Sequence, residues 1–172
     1  AMKNPNVTIL GATGAVGREM MKVLAERDFP AEELHLLASE RSVGQVLPWK
    51  GQDIAVELAC DEAFEGMDIV LGAAENDIAK RFAPAIVRSG AVFVDNSSAF
   101  RMDPDVPLVI PEINPEDAGK HKGIIANPNC TTIVSLVAIN ALNQDSPIES
   151  IVASSYQAVS GAGAGGPIEL MN

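Results

Sequence analysis

The stretch Asn127-Pro128-Asn129-Cys130-Thr131-Thr132 sets a cysteine at the head of a run whose apolar residues, Ile133, Leu136, Val137 and Leu142, fall near helical spacing. Pro128 biases Asn127 toward an extended backbone, so the sequence predicts a break there and an amphipathic helix that begins at Cys130. Unpaired N–H groups and the positive end of the helix dipole favour a thiolate at that position, and a thiolate is a nucleophile. The same N–H groups suit an oxyanion. A free cysteine is otherwise a small buried hydrophobe, and position alone leaves both readings of Cys130 open.

A second stretch with chemistry in it is Gly11-Ala12-Thr13-Gly14-Ala15-Val16-Gly17. Glycine in such a turn adopts positive φ and lets the backbone approach a pyrophosphate, with a helix N-terminus facing the negative charge. The spacing is G-x-x-G-x-x-G rather than the commoner G-x-G-x-x-G. By itself it also fits a tight turn with close helix packing. Its flanks decide for a dinucleotide: Val7 to Leu10 reads as a strand, Val16, Met20, Val23 and Leu24 as a helix face continuing to about Arg27, and Leu34 to Leu37 as a second strand.

The residues after that second strand, Ala38-Ser39-Glu40-Arg41-Ser42, bear on which nicotinamide cofactor is held. An acid there accepts from a ribose 2′-hydroxyl, whereas a cation with hydroxyl donors suits a 2′-phosphate. Arg41 with Ser39 and Ser42 favours NADP. Glu40 pointing inward would repel a phosphate, and a solvated Glu40–Arg41 pair is the competing reading. Arg101 closes Asp95-Asn96-Ser97-Ser98-Ala99-Phe100-Arg101, which leaves the carboxyl end of a further strand. A guanidinium there can take a phosphate or carboxylate bidentately.

The elements that position these residues read as α/β. Ile54 to Leu58, Asp68 to Leu71 and Ala91 to Val94 are expected strands and Ala79 to Val87 a helix. The alternation predicts a doubly wound, mostly parallel sheet with helices on both faces, a Rossmann-like dinucleotide-binding domain. Prolines at 104, 107, 111 and 115 make Pro104 to Pro115 an extended or turn-rich connection. After the Cys130 helix, Ile148 to Val159 is β-branched at its start and reads as a strand. Ser160 to Gly166 follows as either a linker or a second close backbone approach to a ligand, and a helix begins after Pro167.

Composition excludes several classes. The chain has 172 residues, 47% of them apolar, and no run long enough to span a bilayer, so a cytoplasmic protein without a membrane partner is expected. A net charge of −11, with no basic cluster, disfavours nucleic acid. Cys60 and Cys130 are too few for a disulfide framework, and His35 and His121 stand apart, so reduced thiols and no metal are expected.

Five stretches together carry a family resemblance: Thr13 to Gly17, Ser39 to Gly44, Asp95 to Arg101, Asn127 to Thr132, and Tyr156-Gln157-Ala158-Val159-Ser160-Gly161. In order and spacing they resemble aspartate-semialdehyde dehydrogenase through essentially the whole chain. The resemblance implies residues 1–129 as the NADP-binding domain and 130–172 as the beginning of an α+β catalytic and dimerisation domain. It implies Cys130 as the nucleophile that forms an acyl-thioester, with Arg101 on the phosphate and Asn129 and Gln157 on the substrate. Gly11, Thr13, Gly14, Ala15, Val16, Ser39, Arg41 and Ser42 would hold NADP, with Ser160 and Gly161 near the nicotinamide. The family reduces aspartyl phosphate to aspartate semialdehyde on the way to lysine, methionine and threonine, as dimers or tetramers. Its general acid/base histidine is matched by neither His35 nor His121 and is expected beyond Asn172, so the chain alone is expected to be inactive. N-acetyl-glutamyl-phosphate reductase shares the chemistry but usually has glycine where Asn129 stands. A catalytically silent nucleotide-binding or assembly module is the reading from another class.

Overall fold

The computed structural model describes residues 4–159 and 169–171. The chain divides into two compact units, Ala1–Ile133 and Val134–Asn172. In the first, β1 (Val7–Leu10) leads through α1 (Ala15–Glu26) to β2 (Leu34–Ala38). A hairpin of β3 (Val46–Trp49) and β4 (Gln52–Leu58) comes next, then β5 (Ile69–Gly72), α2 (Asn76–Ser89), β6 (Val92–Asp95) and β7 (Ile124–Ala126). The strands form one sheet in the order β3-β4-β2-β1-β5-β6-β7, parallel except for the β3–β4 pair. The sheet grows from β1 to β2 on one side and resumes at β5 on the other. The order therefore reverses between β1 and β5, where open α/β sheets form a ligand crevice.

Alternation along the strands decides which face each helix covers. Val7, Ile9 and Leu36 pack with Met21 of α1, whereas Leu10, Leu37, Val70 and Phe93 pack with Phe82 and Ile86 of α2. Two layers of helix on one sheet follow, as the sequence predicts. α2 runs longer than its apolar pattern, from Asn76, which exchanges hydrogen bonds with Ser98, to Ser89 before Gly90 at φ 88°.

Several expectations need correction. β3 and β7 are strands that the sequence reading passed over. The β3–β4 turn places Lys50 and Gly51 at φ 46° and 80°, and a turn with two positive φ values is usually signalled by Asn-Gly rather than Lys-Gly. Lys50 is held by hydrogen bonds to Asp28 Oδ1 and the Phe29 carbonyl and lies 5.1 Å from the Trp49 ring centre. Ile148 to Val159 is not a strand. Residues 147–158 have no regular structure, because β-branched composition makes a strand only where a neighbouring strand takes its N–H and C=O groups. α3 spans Cys130–Asp145, starting where expected, but it is not amphipathic: Ile133, Val134, Leu136, Val137, Ile139 and Leu142 surround its axis rather than lining one face. Residues 169–171 are helical, as expected after Pro167.

Candidate active site

All parallel strands end on the same edge of the sheet, so the loops after β1, β2, β5, β6 and β7 share that edge. The chemistry-bearing residues of the first unit lie there.

In the glycine loop, each glycine has a different cause. Gly11 has φ +90°, and a Cβ on it would come within 2.7 Å of the Ala73 carbonyl oxygen at the end of β5. A Cβ on Gly17 would come within 2.4 Å of the Gly11 oxygen and 2.7 Å of Ala12 Cα. Both glycines are demanded by the protein's own backbone. Gly14, the N-cap of α1, has φ −72°, and a Cβ there would meet nothing nearer than the Gly11 oxygen at 3.5 Å. Gly14, Ala15 and Val16 are exposed, and the first turn of α1 carries no acid. An open, acid-free helix start with a glycine that packing does not require fits a pyrophosphate. Arg18 braces the loop by donating from Nε to the Thr13 carbonyl at 3.1 Å.

Thr13 and Ser42, distant in sequence, meet: Thr13 Oγ1 donates to Ser42 Oγ at 3.2 Å. The contact joins the glycine loop to the single turn Glu40–Ser42 that follows β2 and whose N-cap is Ser39. Ser39, Glu40 and Arg41 are all exposed around it. Hydroxyls and a guanidinium therefore border the loop on the β2 side, with Glu40 facing solvent alongside.

At the other end of the edge, Asn129 is the N-cap of α3. Its carbonyl accepts from Ile133 N–H at 3.0 Å and its Oδ1 from Thr131 N–H at 3.0 Å. Cys130 is thus the first helical residue, and it is exposed rather than buried, against the small-hydrophobe reading. Because Asn129 already takes the Thr131 N–H, that group drops out of the set that can hold an oxyanion. Arg101 spans two loops, donating from Nε to the Asn127 carbonyl at 2.9 Å and from Nη2 to the Asn96 carbonyl at 3.0 Å. Its remaining donors, two on Nη1 and one on Nη2, are left for an anion, on a guanidinium that holds the carbonyl three residues before the cysteine in sequence.

Beneath Arg101 lies a group that the sequence reading missed as a site residue. Asp95 is fully buried, with Ser97 donating to it from Oγ at 2.5 Å and from N–H at 3.2 Å. Burial pushes its carboxyl above its ordinary pKa, against the pull of the Ser97 hydrogen bonds and the Arg101 charge. Gly72 makes room for it, since a Cβ there would come within 2.9 Å of Asp95 Oδ1. An acid that ends an apolar strand and is followed by Asn-Ser-Ser was the available signal.

Gln157 lies in the second unit, exposed and in coil. Ser160 and Gly161 lie outside the described residues. His35 faces Glu33 and Glu57 at 3.2 and 3.5 Å, and His121 Nδ1 accepts from Gly123 N–H at 3.0 Å. Among the described residues there is no group of three His, Cys, Asp or Glu able to hold a metal, and no helix long and apolar enough to cross a membrane.

Comparison with known proteins gives the family and the fold. Residues 6–121 match the family described as semialdehyde dehydrogenase, NAD binding domain. An aspartate-semialdehyde dehydrogenase of Synechocystis sp. is 57% identical over 92% of this chain and 47% of its own length. The crystal structure of aspartate semialdehyde dehydrogenase II from Vibrio cholerae, complexed with ASA, superposes with a TM-score of 0.93 at 44% identity, over 99% of this chain and 51% of that one. The Candida albicans enzyme, with NADP, gives 0.66 at 26% identity over 85% of this chain and 48% of that one. The chain spans about half the length of the relatives it matches.

Proposed function

The chain belongs to the semialdehyde dehydrogenase NAD-binding-domain family, and on that premise we propose that it is the N-terminal portion of an NADP-dependent aspartate-semialdehyde dehydrogenase. The reaction is the interconversion of aspartyl 4-phosphate and aspartate 4-semialdehyde, cytoplasmic and serving lysine, methionine and threonine synthesis. The observation that carries this reading is one sheet edge that bears both the glycine loop, joined to Ser42 through Thr13, and a capped helix starting at Cys130, three residues after the carbonyl that Arg101 holds.

The chain's residues have the following parts. Gly11, Thr13, Gly14, Ala15 and Val16 receive the pyrophosphate, and Ser39, Arg41 and Ser42 the 2′-phosphate. The Vibrio structure with ASA and the Candida structure with NADP support these ligand classes. Cys130 Sγ attacks the acyl carbon of the acyl phosphate. The electron pair of the C–O bond leaves with phosphate, which Arg101 Nη1 stabilises, and a thioester remains on Cys130. NADPH, when bound, supplies the hydride that reduces that thioester. Release of the aldehyde returns Cys130 to the thiolate. Asn129 holds the helix start, and Gln157 contacts substrate, with Ser160 and Gly161 near the nicotinamide. The division into a cofactor domain at 1–129 and the beginning of a catalytic and dimerisation domain at 130–172 belongs to the same proposal. So does a dimer or tetramer of the full-length protein.

Neither histidine lies on the binding edge: His35 is near the amino end of β2 and His121 precedes β7, at the opposite edge of the parallel sheet. A positioned acid/base contributes about 10²–10⁴-fold, so the 172 residues alone should bind NADP(H) without turnover. The test measures NADPH consumption and formation with aspartyl phosphate and aspartate semialdehyde, with a full-length relative as positive control and Cys130→Ala as the blank. Calorimetric binding of NADP(H) is measured on the same protein. Failure to bind either dinucleotide would overturn the cofactor reading, and Cys130-dependent turnover near that of the control would overturn the inactivity.

A further inference from the structure

Asn127 directs three of its polar groups to the end of β6 and the loop that follows it. Its backbone N–H donates to the Asp95 carbonyl at 2.8 Å, its side-chain Nδ2 donates to Asn96 Oδ1, and its carbonyl accepts from Arg101 Nε at 2.9 Å. Asn96 in turn donates its N–H to the Gly72 carbonyl at 3.2 Å and accepts Arg101 Nη2 on its own carbonyl at 3.0 Å. Pro128, which is buried, and Asn129, which caps α3, are all that separate this anchor from Cys130. Pro128 fixes φ, so an orientation imposed at Asn127 passes into the helix start with little slack.

We propose that Asn127 and Asn96 form a positioning pair whose side-chain hydrogen bond sets the orientation of the Cys130 helix start. Arg101 completes the pair by binding both carbonyls. The inference rests on the reading of Cys130 as the nucleophile, but not on cofactor or turnover. Neither residue is expected to touch substrate. Both act on the cysteine through the backbone, and a single side-chain amide contact sets the loop across 31 residues of sequence.

The test is the second-order rate of iodoacetamide alkylation of Cys130 at pH 7, with Cys60 in the same molecule as internal reference. It is measured by mass spectrometry on this chain, its Asn127→Ala and Asn96→Ala variants, and the double variant. A lost neutral hydrogen bond corresponds to a roughly threefold to tenfold effect. Each single variant is expected to slow Cys130 by that factor and leave Cys60 unchanged, with the double no slower than either, because one interaction is removed once. In ¹H–¹⁵N spectra the Thr131, Thr132 and Ile133 amides should move in both single variants while Leu36, in the sheet interior, stays in place. Equal slowing of Cys60, multiplicative effects in the double variant, or an unchanged Cys130 rate with unmoved α3 amides would each overturn the proposal. Alkylation needs neither dinucleotide nor acyl phosphate, so a failure to bind NADP(H) would count against the proposed function and leave this result standing.

Discussion

The two corners of the binding edge are built by different physics. At the glycine loop, shape is set by backbone against backbone: Gly11 lies against Ala73, Gly17 lies against Gly11 and Ala12, and only Gly14 is left open. At the cysteine corner, shape is set by polar side chains: Arg101 reaches the carbonyls of Asn96 and Asn127, and the buried Asp95 carboxyl accepts from Ser97 Oγ and N–H. A steric corner leaves its mark in one residue type at fixed spacing. A hydrogen-bonded corner leaves ordinary Asn, Ser and Arg whose partners lie 2 to 31 residues away, and no spacing rule connects them.

The largest expected effect separates these mechanisms within the glycine loop itself. Gly11→Ala adds a backbone clash to a strained positive φ, and Gly17→Ala forces a Cβ into Gly11 and Ala12. Each should destabilise the fold by roughly 3 kcal/mol, the scale of overpacking plus backbone strain. Gly14→Ala should leave urea-denaturation stability within about 0.5 kcal/mol, yet weaken NADP(H) binding because its Cβ enters the space the pyrophosphate needs. Denaturation and calorimetry on the three variants check this. If Gly14→Ala unfolded the protein and kept its affinity, all three glycines would be packing residues.

Next in size is Arg41→Ala, which should weaken NADP(H) by roughly 1.5–3 kcal/mol, the worth of a charge-assisted contact, and barely change NAD(H). Titration of both cofactors decides it. Equal weakening would shift the ribose contact to Glu40 and make the site an NAD site.

These contrasts also explain what was legible beforehand. β1, α1, β2, β4, β5, α2 and β6 follow from apolar periodicity, and Cys130 at a helix start follows from Pro128. The β3–β4 hairpin was hidden by a Lys50-Gly51 turn without the usual Asn. β7 was hidden by its three-residue length between Gly123 and Asn127. Arg101 reads from sequence as an anion ligand, yet two of its donors hold backbone carbonyls, because a guanidinium is as good at tying loops together as at binding phosphate. Asn129 reads as a substrate ligand and proves to be a cap first. Periodicity reports burial. It carries no information on which polar group answers which.

A smaller effect should come from the titration of Asp95. Its pKa is raised in the folded state by burial, so its contribution to stability is fully present below the ordinary value of 3.8 and is lost as pH rises through the folded value. Stability of the wild type relative to Asp95→Asn should therefore decline with rising pH across that window, and level off above it. Asparagine keeps a carbonyl for the Ser97 N–H, and its Nδ2 can donate to Ser97 Oγ. Other carboxylates contribute in the opposite direction, Asp28, Asp105 and Asp117 having pKa values lowered by Lys50, Lys122 and Lys120. The difference between the two proteins cancels them. A flat difference from pH 3 to 7 would mean that Asp95 ionises as freely folded as unfolded, and that the cysteine corner does not depend on its charge.

The smallest effect tests whether polar side chains are partnered only at the edge. Thr8 sits in the middle of β1, level with His35 on one neighbouring strand and Val70 on the other. It is fully buried, and its Oγ1 has no hydrogen-bond partner among the described residues. A buried hydroxyl without a partner forfeits its hydration, at a cost of about 1–3 kcal/mol, while its methyl packs as any β-branched strand residue does. Thr8→Val keeps the shape and replaces the hydroxyl with a methyl, so it should raise stability by about 1 kcal/mol in urea denaturation, part of the gain being lost to imperfect fit. Thr8→Ala should lose stability instead, because it removes the packed methyl as well. Neither change should alter NADP(H) affinity or Cys130 alkylation, since both corners lie beyond the strand's end. Destabilisation by Thr8→Val comparable to that by Thr8→Ala would show that the hydroxyl is satisfied in solution. The strand interior would then share the hydrogen-bonded construction of the cysteine corner instead of contrasting with it.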